Sequence, residues 1–221
     1  MIKPHEKWKV LPHGHLTEID VGLLSVVGEL EMPLKKPPRR MNEPQMAAIE
    51  ALDRPAFLVV PNDHHRLDAK ICKARYPRIE VVAPVGARDK FAETVVVNTK
   101  SPALLDSHVE LVTVPSTKEK ELALIVRRPS GTTLVLDDLV GNVQGSSGFG
   151  KWLLRTMGFA GDETQIPAPL KLSLVKDKDT LRTQLSPWAE MRGRRRILVA
   201  YGDPIESNPR QLLHDLASSL G

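Results

Sequence analysis

Three short apolar runs in this 221-residue chain each stop at an ionisable group. AFLVV (56–60) runs into PNDHHRLD, TTLVL (132–136) into Asp137 and Asp138, and ILVAYG (197–202) into Asp203. Runs of this length, bounded by turn formers, read as buried strands. On α/β scaffolds functional groups concentrate where strands end, because a rigid sheet can aim side chains from distant parts of the chain into one cleft. The pattern therefore predicts strands covered by helices, with chemistry at their ends.

The segments between these runs fill in the architecture. Short β-rich runs, WKVL and GLLSVVGEL, open the chain, and the prolines and like charges of PLKKPPRRM suit an exposed connection. In NEPQMAAIEAL, Asn42 can cap a helix with Gln45 three residues on, and Met46, Ile49 and Leu52 fall on one face. DAKICKARY reads as a short helix capped by Asp68, RIEVVAP as a strand and ARDKFAETV as another short helix. HVELVTV, ELALIVRR and TTLVLDD then form three successive strands joined by PSTKEK and PSG. Helical patterns follow in KWLLRTMGF, APLKLSLV and DTLRTQLSPWAEM, then the strand RRILVAYG and a last helix, PRQLLHDLASSL. Such mixing fits an α/β (α+β) fold better than a simple parallel doubly wound sheet.

Composition narrows the function classes. With 41% hydrophobic residues the chain can bury a real core, and a single domain over 1–221 is expected. The 31 basic and 27 acidic side chains give a net charge of +4, too little asymmetry to imply a nucleic-acid partner. A single cysteine, Cys72, excludes an internal disulfide and any zinc site built on several thiolates, and it reads as an inert buried thiol. The start, MIKPHEKWKV, lacks a secretory h-region, and no apolar run approaches the ~20 residues that span a bilayer. A soluble cytoplasmic protein is the expectation.

Histidine and aspartate together are a common N/O ligand set for zinc, iron or manganese, and alternation along an extended segment would point Asp63 and His65 the same way. The competing reading is a polar loop, in which aspartates at strand ends form turns or cap helices.

Taken together, the strand ends resemble the metallo-β-lactamase superfamily, specifically a branch with degenerate metal-ligand motifs. The resemblance is carried by KWKVLPHGHL, VGLLSVVGELEMPLKKPPRRM, AFLVVPNDHHRLDA, KARYP, GTTLVLDDLVGN and ILVAYGDPI, which span nearly the whole length. It implies a four-layer αββα sandwich with the site at one edge. Because Met41 leads straight into the helix beginning at Asn42, the resemblance also implies an N-terminal sheet that is short or lacks an edge.

The superfamily's first motif, Thr followed by His-x-His-x-Asp-His, falls on PNDHHRLDA. With Pro61 in the threonine place the ligand positions become Asn62, His64, Arg66 and Leu67. Slid by one residue they become Asp63, His65, Leu67 and Asp68, and both registers stand. The next ligand histidine should lie near VTVPSTKEK, which offers only Ser116 and Thr117. The bridging aspartate matches Asp138, and the final histidine corresponds to Asp203.

Two functions follow from the resemblance. If a divalent metal (zinc, manganese or iron) binds, His64 or His65, Asp138 and Asp203 would hold it, and the protein would be a metal-dependent hydrolase acting on an unidentified small molecule. Alternatively no metal binds, Arg66 neutralises Asp63, Asp68, Asp138 and Asp203, and the protein is a non-enzymatic domain for a small ligand or a protein partner.

Three other motifs are weaker. GSSGFGKW (145–152) fits the G-x-x-x-x-G-K part of a P-loop, but Trp152 stands where Ser or Thr should hold Mg²⁺. It reads instead as a loop bordering the cleft, with Phe149 and Trp152 packing over a substrate. RGRRR (192–196) reads as the solvated entrance to a strand, and His13 and His15 as parts of an N-terminal strand or turn.

Overall fold

The structure is a computed structural model, and the residues it describes are 15–19, 23–27, 43–52, 55, 57–62, 67–92, 95–97, 108–129, 131–137, 139–142, 177–199, 201, 202 and 204–220. WKVL, KWLLRTMGF, APLKLSLV, GSSGFGKW and the capping position Asn42 lie outside them. The chain divides into two compact units, Met1–Leu105 and Asp106–Gly221.

In the first unit, β1 (His15–Ile19) and β2 (Leu23–Val27) form an antiparallel hairpin in which His15 pairs with Val27. His15 is thus a strand residue. Helix α1 (Glu43–Leu52) buries Met46. Strand β3 (Phe57–Val59) pairs in parallel with β4 (Glu80–Val82), in the register Leu58↔Val81. Parallel neighbours need a crossover, and α2 (Leu67–Arg75) supplies it. A turn of 3₁₀ helix at Val85–Ala87 leads into α3 (Arg88–Ala92). Val60, Ala69, Val81, Ala83, Ala87, Phe91 and Val95 close over one another as the core of this unit.

Two details differ from expectation. Within AFLVV, Phe57 to Val59 are only half-buried and full burial begins at Val60. Helix α2 starts at Leu67, so Asp68 occupies its first turn and not its cap. Acidic residues suit either place, because a helix N-terminus carries partial positive charge over its whole first turn. Cys72 lies mid-helix in α2 and is buried.

The second unit is built on a four-stranded sheet in the order β5 (Val109–Thr113), β6 (Leu122–Arg128), β7 (Gly131–Val135), β9 (Arg194–Leu198). The first three strands form the antiparallel meander that the sequence predicts, with Leu111 opposite Leu124 and Ile125 opposite Leu134. Strand β9 then returns parallel to β7. A second pair, β8 (Gly141–Asn142) with β10 (Tyr201–Gly202), is also parallel.

Two helices cover this sheet's apolar residues. In α4 (Lys178–Glu190), Leu181, Leu185 and Trp188 recur at helical spacing and are buried, and the Asp177 side chain caps the N-terminus by accepting from the amides of Asp179 and Thr180. In α5 (Pro209–Ser218), Leu213, Leu216 and Ala217 do the same. Both stripes join Ile125, Leu134, Leu136, Ile197 and Val199 in one core. Gly193, at φ +65°, makes the left-handed turn between α4 and β9, where a side chain would be strained.

Helices α1 and α2 of the first unit are joined at the surface by a charged cluster. The Arg75 guanidinium donates to both oxygens of Glu43 at 2.7 and 2.8 Å and to Glu50 at 2.6 Å, and the Tyr76 hydroxyl donates to Glu50. Arg75 chiefly holds both carboxylates below the ordinary glutamate value of 4.5. A depressed carboxylate contributes stability that is complete above its ordinary pKa and is lost as pH falls through the folded value. The melting temperature of the parent should therefore fall more steeply than that of Arg75→Met between about pH 5 and pH 3, as followed by circular dichroism.

Candidate functional site

Strand direction decides what meets at one edge of the second unit's sheet. Because β7 and β9 run parallel, their C-terminal ends leave the sheet on the same side, and the Leu136 amide extends the pairing by donating to the Leu198 carbonyl at 2.8 Å. The antiparallel β6 begins at that same edge, so the β5–β6 turn lies there too. The residues just before Asp203 run beside those just after Asp138, with Tyr201 opposite Gly141 and Gly202 opposite Asn142.

Polar groups at this edge are buried. Asp137 is 3% exposed, and Thr117 and Glu121 are fully buried. One carboxylate oxygen of Glu121 accepts the backbone N–H of Leu139 at 3.0 Å. The Thr117 hydroxyl donates to the Val114 carbonyl at 2.8 Å, the Lys120 amide donates to the Thr117 carbonyl, and the Val114 amide donates to the Glu121 carbonyl. Within this turn Ser116, Lys118 and Glu119 all have φ near +60°. Each such non-glycine residue costs on the order of 1 kcal/mol or more, so the surrounding bonds must hold the turn in shape.

At the corresponding strand end of the first unit, the Val60 amide donates to the Val82 carbonyl and Pro61 ends the strand. Asn62 follows, and it is buried. Asp63, His64, His65 and Arg66 lie outside the described residues, as do the side chain of Asp68 and the residues Asp138, Phe149, Trp152 and Asp203. Among the described residues, no three His, Cys, Asp or Glu side chains are grouped as a metal ion would need.

The basic run RGRRR departs from its expected role. An irregularity in the β7–β9 pairing sets Arg194 opposite Thr132 and Arg196 opposite Thr133, which places the two arginines on opposite faces of the sheet. Arg194 is half-buried and donates to the carbonyls of Trp188 and Met191 at the end of α4. Arg196 is 5% exposed, donates to the Thr133 hydroxyl at 3.0 Å and faces Glu206 at 3.9 Å. Two of the run's arginines therefore tie β9 to its surroundings, and among the described side chains of the run Arg192 is the exposed one.

No family model matches the chain, and no curated protein matches it in sequence. Solved structures do match it in shape. The metallo-β-lactamase FIM-1 from Pseudomonas aeruginosa, in a mono-zinc form, aligns over 93% of this chain and 83% of its own at a TM-score of 0.51 and 12% identity. A B3 metallo-β-lactamase with an active-site glutamic acid aligns over 98% and 88%, at 0.53 and 11%. The flavodiiron protein from Giardia intestinalis aligns over 94% of this chain and 51% of its own, at 0.56 and 12%. The fold is thus that of the metallo-β-lactamases, as the sequence implies. Among the described residues no helix is long and apolar enough to cross a membrane.

Thr117 occupies the turn in which the resemblance expects a ligand imidazole. Replacing it by valine removes the donor to the Val114 carbonyl from a strained turn. Thr117→Val should lower the unfolding free energy by about 1–2 kcal/mol in urea titration. A variant as stable as the parent would show that the hydroxyl does not hold the turn.

Proposed function

Starting from the metallo-β-lactamase fold, we propose that this chain is a hydrolase-like protein whose metal site has eroded, so that it is weakly active or catalytically silent. The observation that carries the reading is Thr117. Its hydroxyl is fully buried and gives its proton to a carbonyl of its own turn, and a neutral hydroxyl is a far weaker ligand for zinc than the imidazole that the resemblance expects in this turn. The donor set that is left has more carboxylates than imidazoles, which fits one weakly held hard ion better than a two-zinc centre.

On this reading His64 or His65, Asp138 and Asp203 hold the ion, with Asp63 and Asp68 as further donors in the shifted register. Proteins of this fold include one in a mono-zinc form and a flavodiiron protein, so zinc and iron join manganese as the ions to test. Such an ion, when bound, would acidify a water for attack on an ester, amide, thioester or phosphoester of a small molecule. The chain's own contribution is to fix the carboxylates at the ends of paired strands. Phe149 and Trp152 border the substrate, the chain acts as a single functional domain, and it works in the cytoplasm.

Metal analysis of protein purified without chelator tests the reading. The parent should retain substoichiometric zinc, iron or manganese, and Asp138→Ala should lose it. No ion in either protein, at any stage, favours the metal-free domain in which Arg66 balances the carboxylates. In that case Arg66→Ala should be markedly less stable than the parent. An occupied two-metal centre would overturn the eroded-site reading.

A further inference from the structure

We infer that Glu121 is a positioning residue for the turn that carries Asp138. The inference deepens the reading above, on which that turn presents a ligand carboxylate.

Glu121 stands at the head of β6, and its side chain is fully buried. Its carboxylate accepts the amide of Leu139, which is the N–H of the peptide joining Asp138 to Leu139. Carboxylate to backbone N–H is the stronger kind of hydrogen bond, and burial keeps water from replacing it. On either side of that peptide the chain is fixed as well. Leu136 is tied to Leu198 on one side, and Leu139 and Val140 are fully buried on the other.

A glutamate is a costly way to fill this space. Burying a carboxylate carries a desolvation cost that a methionine or leucine of similar volume would avoid. The side chain reaches across the sheet edge from the start of one strand to the turn after the next, and there it accepts the Leu139 amide. Its role is to fix the orientation of that peptide, and with it the direction in which the Asp138 side chain departs. Groups that orient metal ligands in this indirect way commonly change affinity without touching the ion.

Two substitutions separate this role from mere packing. Glu121→Gln keeps an oxygen acceptor in the same place, whereas Glu121→Met fills the same volume and has none. Hydrogen exchange at the Leu139 amide and Mn²⁺ titration, read by the electron paramagnetic resonance of free Mn²⁺, are measured on the full chain. Glu121→Gln, with a neutral acceptor, should stay closer to the parent than to Glu121→Met in both. Glu121→Met should lose about tenfold in Leu139 protection and about tenfold in Mn²⁺ affinity, with the amides of β6 and β7 still protected.

Equal Leu139 protection in parent and Glu121→Met would overturn the proposal, as would unchanged Mn²⁺ affinity. If the parent itself takes up no Mn²⁺, manganese is not its ion, and Leu139 exchange alone decides the role of Glu121. Should Glu121→Met fail to fold, exchange of Leu139 in the parent at the rate of a solvent-exposed amide would sink the inference.

Discussion

The parallel pairing of β7 with β9 is the interaction on which the second unit depends. It joins Leu134 to Ile197 and Val135 to Leu198, and so draws two stretches from opposite sides of α4 into one sheet. Every polar feature at the sheet edge is placed by that pairing or by the meander beside it. The turn after β7, the start of β6 and the approach to Asp203 meet because backbone hydrogen bonds fix where each strand stops. Side-chain packing then secures the arrangement from behind, through Trp188, Leu185 and Leu213.

Electrostatics in the two units are handled differently. Between α1 and α2 the charges are at the surface, and Arg75 works against solvent to hold two carboxylates. In the second unit several polar groups are inside: Glu121 on a backbone amide, Arg196 on a threonine hydroxyl and Thr117 on a carbonyl. Buried polar groups require defined partners, and such partners specify a conformation more sharply than apolar contacts do. The β5–β6 turn illustrates this, since three left-handed residues in four positions persist only where neighbouring bonds dictate them.

Most of the elements could be read from the sequence because their signals are local. VELVT, LALIVRR and TTLVL are continuous, β-rich and separated by turn formers. Leu181, Leu185 and Trp188 repeat at helical spacing. Helix α2 begins at Leu67, two residues before the start that a cap at Asp68 implies, because an acidic residue suits the first turn as well as the cap. Burial of polar groups was harder to foresee. Glu121 heads an apolar run with nothing local to mark it as buried, and Arg194 and Arg196 belong to a run that reads as the solvated entrance to a strand. Their burial depends on which strand lies alongside, a long-range fact that no window of sequence contains. The fold comparison bears out the architecture that the strand-end motifs implied, at identities too low for chemistry to follow from shape.

The same sheet carries an unequal burden of chain closure. Strands β5, β6 and β7 meet through short turns, so each pairs with a neighbour only a few residues away, at small loss of conformational freedom. Strand β9 must come in from beyond α4 before its first bond with β7 can form. Contacts between distant parts of a chain are the slow ones to make, since entropy is lost before the pairing is gained. In this molecule the meander can pair through local contacts alone, and the polar edge is complete only once β9 has joined β7.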